Sequence, residues 1–245
     1  MSERLVSTER HGEVCVVRLQ REAKLNALSA ELAAQLIDAI GSDDVSTSRV
    51  VVITGSAKAF SAGADLTEFT DPSPEETIRY YRDQGRIWEL LPAIPQPSIA
   101  AISGWAIGGG LELALSADLR IADETARFGL PEVSLGILPS AGGLSRLVRL
   151  LGTARAKELI LLGGRFDAAR ALELGIVNRV VPAGEVEAAA LEWAETMAGQ
   201  PQIALQVTRE LIDRSAEMSL AGSLAAEKLA QGMLAHSADS YRADA

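Results

Sequence analysis

The stretch GWAIGGGLELALSAD, residues 104–118, sets three consecutive glycines in front of an apolar run that carries a single acid, Glu112. It follows PSIAAISG, residues 97–104, which reads as a buried strand, so the glycines stand at a strand-to-helix junction. Gly108, Gly109 and Gly110 let main chain approach a ligand closely, and the first N–H groups of a helix have no partner of their own. A junction of this kind suits an anion or a developing oxyanion. Neither GxGxxG nor GxxxxGK[ST] spacing is present, which argues against a nucleotide site. Glu112 falls in the first turn, where the helix dipole favours its ionised form. A core-facing acid is costly unless paired or functional.

Outward from this junction the same alternation recurs. Residues 13–19 alternate as a strand, and Ser29 opens a helical segment, SAELAAQLIDAIG, closed by Gly41. RVVVITG, 49–55, is a buried strand, and PEETIRYYRDQGRIWELL from Pro74 reads as one helix with acids in its first turn. After residue 118 come a strand at LRIAD, a turn-rich stretch RFGLPEVSLGILPSAGG and a helix SRLVRLLG. DAARALELG is helical, VNRVVP a short last strand, and the chain from Glu185 is helical with breaks at Gly199 and Pro201. Strands alternating with helices indicate an α/β fold with parallel pairing. Its expected division is a core over residues 1–190 and a helical region over 191–245, whose apolar faces need a surface to cover them.

A second cluster of small residues, AFSAGADL at 59–66, follows the strand 49–55, where α/β folds collect ligands. Main-chain N–H groups from this cluster and from the glycines could meet on one oxygen; AGAD alone also reads as a turn capped by Asp65. A second acid, Glu132, follows Pro131 in FGLPEVSLG. Two carboxylates near one substrate suit paired proton transfer, one accepting while the other donates. A serine hydrolase is disfavoured: Ser140 in LPSAGG lacks the GxSxG elbow, and His11 and His236 lie at opposite ends of the chain. With two histidines, one cysteine and no loop of suitable carboxylate spacing, no metal site is expected. Cys15, inside an alternating strand, reads as a small buried hydrophobe.

A chain of 245 residues with 48% hydrophobic and 23% charged residues can bury a sizeable core. Its formal charge of −10 argues against nucleic-acid and anionic-membrane partners. The charged N-terminal segment is no secretory signal and no apolar run is long enough to span a bilayer, so the cytoplasm is the expected compartment.

AKLNAL (23–28), AFSAGADL, SGWAIGGGLELALSADLRIA, ARFGLPEVSLGILPSAGGLSRL and ALELGIVNRVV together resemble, in order and spacing, the crotonase or enoyl-CoA hydratase/isomerase family. The resemblance implies a spiral of ββα repeats with a helical C-terminal oligomerisation region, assembled as homotrimers or homohexamers. It implies an acyl-CoA thioester ligand, with coenzyme A part of the substrate and no separate cofactor, and a place in fatty acid metabolism. Ala64 and Gly109 match the oxyanion-hole positions. Ala62, Asp65, Leu66, Gly108, Trp105 and Leu138, with Phe69, fall where relatives line the substrate, and Lys24 matches a basic position that contacts CoA. Arg21 and Lys58 are nearby cations. Hydratases resemble this chain in having both glutamates, whereas many isomerases keep only the second. The implied reaction is reversible hydration of a trans-2-enoyl-CoA to a 3-hydroxyacyl-CoA, with Glu112 as base and Glu132 as acid. An isomerase or other acyl-CoA lyase or hydrolase of the same fold is the alternative, and a non-catalytic acyl-CoA-binding protein a remoter one. Members commonly end in a longer helix with a basic finish near the adenine; here Lys228 or Arg242 would take that place.

Overall fold

The computed structural model describes residues 3–68, 73–83 and 85–236. Strands β1 (Val6–His11) and β2 (Val14–Leu19) form an antiparallel hairpin, closed by Gly12 at a φ of 58°. The charged N-terminal segment is therefore an edge strand. α1 (Ala30–Ile40) starts at Ser29, whose Oγ accepts the Leu32 N–H at 3.2 Å, and buries Leu32, Ala33, Leu36 and Ile40. A short α2 (Asp43–Ser46) leads into β3 (Val50–Thr54).

From β3 onward the chain repeats one device. A strand enters a large sheet, a three-residue strand turns out of it into a small second sheet, and a helix returns. The pairs are β3 with β4 (Ala59–Ser61), followed by α3 (Pro74–Asp83) and α4 (Ile87–Ala93); β5 (Ser98–Ile102) with β6 (Trp105–Ile107), followed by α5 (Gly109–Ser116); and β7 (Leu119–Asp123) with β8 (Arg127–Gly129), followed by α6 (Gly143–Leu162). β9 (Phe166–Asp167), α7 (Ala168–Glu173) and β10 (Arg179–Val181) complete the sheets. The large sheet runs β1-β2-β3-β5-β7-β10, parallel from β2 onward, and the small one β4-β6-β8-β9. This is the ββα spiral that the resemblance implies.

Both faces of the large sheet are covered, so its strands read as continuous apolar runs. Cys15, Val17, Val51 and Ile53 point to one face, against Leu32, Leu36, Leu91 and Leu111 of the helices. Val14, Val16, Val50 and Val52 point to the other, against Val186, Ala190 and Ala194 of α8 (Val186–Ala198). Cys15 is fully buried, as its place in the strand predicts. α8 runs through residue 190 as one helix on the sheet. α9 (Gln202–Ser215) and α10 (Leu220–Leu234) follow; Arg209 ties α9 to the core, its Nε 2.7 Å from Asp118 and its Nη1 2.7 Å from Ile94 O.

Three local expectations need correction. The helix from Pro74 is two helices: Ile87, Trp88 and Leu91 of α4 are buried whereas Ile78 of α3 is exposed, and Gly85 and Arg86 between them are in a turn. The helix after Gly142 does not stop at Gly152; the chain bends there, at a φ of 75°, and continues helical to Leu162. The small sheet has no counterpart in the sequence reading. Phe69 and Arg242 lie outside the described residues. Among the described residues no helix is long and apolar enough to cross a membrane.

Candidate active site

Leu28 prepares the first half of the site. Its N–H donates to Gly63 O at 2.8 Å, and its carbonyl accepts the Asp65 N–H at 3.2 Å. Successive peptide groups of an extended segment face opposite ways, so the Ala64 N–H between them points away from Leu28. It has no hydrogen-bond partner among the described residues. Asp65 locks the turn: its Oδ1 accepts from the Thr67 N–H and hydroxyl at 3.1 and 2.6 Å, and its Oδ2 pairs with Arg21 Nη1 at 2.6 Å. The Thr67 and Arg21 donors hold this carboxylate down at about 2 despite burial. Asp65 and Arg21 are thereby committed to each other.

The glycine junction supplies the second half. Gly108 caps α5 at a φ of 54°, and a Cβ on it would stand 2.9 Å from Glu132 Oε1. A Cβ on Gly109 would lie 3.6 Å from Ala64 N, so the two strand ends do meet. The Gly109 N–H, first in its helix, also has no partner among the described residues. Gly110 packs so closely on β4 that a Cβ would overlap the Ser61 carbonyl. At Gly63, φ is 91° and a Cβ would stand 2.6 Å from Ile107 O.

Both acids are buried beside this point. Glu112, 4% exposed, accepts at Oε1 from the N–H groups of Ala141 at 2.9 Å and Gly143 at 2.8 Å. Burial pushes its carboxyl up to about 7; the Gly143 N–H opposes this, and the neighbouring Glu132 charge adds to it. The dipole of α5, which favours the charged form, is thus outweighed by desolvation. Glu132 sits in the 3-10 turn Glu132–Leu135 after Pro131; burial raises its pKa as well. Its Oε2 is buried and finds no hydrogen-bond partner among the described residues. Two raised, mutually repelling carboxyls favour a state in which one holds a proton and the other does not.

Ala64, Gly108, Gly109, Glu112 and Glu132 therefore share one site. The other sequence candidates lie around it: Ala62 donates its N–H to Leu25 O at 2.9 Å, and Leu66 and Leu138 are exposed. Trp105, half-buried on β6, carries the Arg165 guanidinium 4.9 Å from its ring centre. Lys24 is exposed on the 3-10 turn Glu22–Lys24, Lys58 is 3.6 Å from Glu22, and Lys228 is exposed on α10. Four contributors went unnoticed in the sequence: Ala141 and Gly143, whose amides hold Glu112, Trp88, whose Nε1–H donates to Gly109 O at 2.8 Å, and Arg146. The run SAGG, residues 140–143, is the one available signal, and Ser140, its first residue, is exposed. Among the described residues no three His, Cys, Asp or Glu side chains gather as metal ligands.

Residues 9–243 match the family described as enoyl-CoA hydratase/isomerase. The chain belongs to the enoyl-CoA hydratase/isomerase family. Within that family it is 40% identical over 242 residues to the 2,3-dehydroadipyl-CoA hydratase of Escherichia coli (strain K12), a match covering 98% of this chain and 93% of that protein. The enoyl-CoA hydratase structure from Bacillus anthracis superposes with a TM-score of 0.90 at 40% identity, over 96% of this chain and 93% of that one. A putative enoyl-CoA hydratase from Thermobifida fusca YX, solved in complex with CoA, is similar at 32% identity and a TM-score of 0.86, over 94% and 92% of the two chains. The chain is thus an enzyme of the enoyl-CoA hydratase/isomerase family with the crotonase-like fold that its motifs imply.

Proposed function

We propose that the chain catalyses reversible hydration of a trans-2-enoyl-CoA to a 3-hydroxyacyl-CoA. The observation that carries this reading is the pair of buried carboxyls, Glu112 and Glu132, beside the N–H groups of Ala64 and Gly109, which have no partner among the described residues. As water adds to the β-carbon, the electron pair of the double bond moves onto the thioester oxygen, and two fixed donors stabilise that enolate where it forms. Glu112 suits the base. Its Oε1 already takes two main-chain donors, which an acceptor-only carboxylate uses best, and it would withdraw a proton from the attacking water. Glu132, with a buried oxygen that has no hydrogen-bond partner among the described residues, suits the acid that delivers a proton to the α-carbon. The sum is one water added: hydroxide goes to the β-carbon and a proton from Glu132 to the α-carbon, and the proton that Glu112 took from the water passes to Glu132 to restore both acids.

Hydratase-named relatives and a relative solved with CoA support the substrate class. No cofactor beyond the CoA of the substrate enters the scheme. Lys24, exposed beside the oxyanion loop, is proposed as a contact to the CoA phosphates. Exposed apolar residues on α9 and α10, among them Ile212, Leu220 and Leu229, are proposed to be covered in a trimer or hexamer.

The deciding experiment follows the absorbance of the conjugated thioester over a panel of trans-2-enoyl-CoA substrates, with product analysis. Hydration is expected, and a shifted double bond without hydration would make the chain an isomerase instead. Glu112→Gln and Glu132→Gln should each lower kcat by about two to four powers of ten while acyl-CoA still binds. Full turnover in either variant removes that residue from the mechanism.

A further inference from the structure

Arg146 lies in the first turn of α6, half-buried, and its hydrogen bonds go to two main-chain carbonyls. Its Nη1 donates to Ala141 O at 3.0 Å and its Nη2 to Trp88 O at 2.7 Å. Each of those residues has a second bond into the site. The Ala141 N–H holds Glu112 Oε1, and the Trp88 Nε1–H holds Gly109 O. The Trp88 ring also presses on Gly109, where a Cβ would stand 3.1 Å from it. One guanidinium thus spans the loop that carries the base's donors and the helix α4 that buttresses the oxyanion peptide. The charges facing it are Glu112 and Glu89.

We propose that Arg146 is a positioning residue: its planar fork fastens loop 141–143 to α4, so that Glu112 and the Gly109 N–H keep a single relative geometry. The inference deepens the hydratase reading and rests on it. Geometry is the point. A lysine would restore the charge but cannot offer two donors in the fixed spread that reaches both carbonyls. A displacement of about 1 Å in a reacting group is enough to lower a rate by about a hundredfold.

The test uses the full chain with Arg146→Gln, Arg146→Lys and Trp88→Phe, the last removing both the Nε1–H and the indole edge that packs on Gly109. Each is expected to lower kcat by about tenfold or more with KM changed less than about threefold. Arg146→Lys at parental kcat would overturn the fork argument, and parental kcat in both Arg146 variants would overturn the proposal altogether. If neither Arg146 variant folds, Trp88→Phe decides alone, and parental kcat there overturns it. A second readout needs no turnover. Amide hydrogen exchange at Ala141 and Gly143 should quicken in the folded variants while exchange in β3 and β5 stays as in the parent, and unchanged exchange in the loop overturns the proposal. A parent chain that hydrates no enoyl-CoA sinks the proposed reaction, and the exchange readout then decides the clamp by itself.

Discussion

Glu112, the proposed base, ties the stability of the fold to pH. In the folded chain it keeps its proton up to about pH 7, whereas an unfolded chain releases it near 4.5. Between those values the folded state binds more protons, so stability falls as pH rises from about 4.5 to about 7, and the cost persists above. Glu112→Gln, which keeps an oxygen to accept the Ala141 and Gly143 N–H groups, should therefore be the more stable protein at pH 8, by up to about 3 kcal/mol. The gap should close by pH 4. Denaturant melts of parent and variant at the two pH values measure it, and a variant less stable at pH 8 would show that the buried charge is better compensated than its surroundings indicate. In turnover the same ionisation should make kcat/KM fall below about pH 7 in the parent.

At the scale of elements, the contact of α5 with β4 is the tightest joint in the site. Gly110→Ala would drive a methyl group into the Ser61 carbonyl, a main-chain atom that cannot swing aside. Overpacking of this kind costs about 1–3 kcal/mol, and here it also moves the Gly109 N–H away from Ala64. Loss of turnover together with a lower denaturation midpoint is expected; an unaffected variant would mean that α5 can slide without harm. Long elements were legible because their apolar periods were: β3 and β5 as continuous runs, α1 from Ser29 to Gly41. β4, β6 and β8 were not, since three residues show no period. The split of α3 from α4 escaped because the sequence pattern is helical on both sides of Gly85, and only the sheet decides which half is buried. Glu112, Glu132 and the glycines stood out as motif. Trp88 and Arg146 did not, because each bonds a main-chain carbonyl distant in sequence, and any residue can supply a carbonyl.

For the molecule as a whole, the alanines of α8 allow that helix to lie close on one face of the large sheet, while α9 and α10 leave apolar side chains outside. Ile212→Glu combined with Leu229→Glu should dissociate the proposed assembly into smaller species, read by sedimentation velocity; unchanged sedimentation would place the subunit contact elsewhere. The buried thiol of β2 has a use of its own. Cys15 is the sole cysteine, has no exposed surface, and burial raises its pKa to about 11. A thiol-specific dye can reach it only when the hairpin and α1 part, so labelling in native buffer is a clock for opening of that edge of the large sheet, with no engineered reporter and no competing sulfhydryl to subtract.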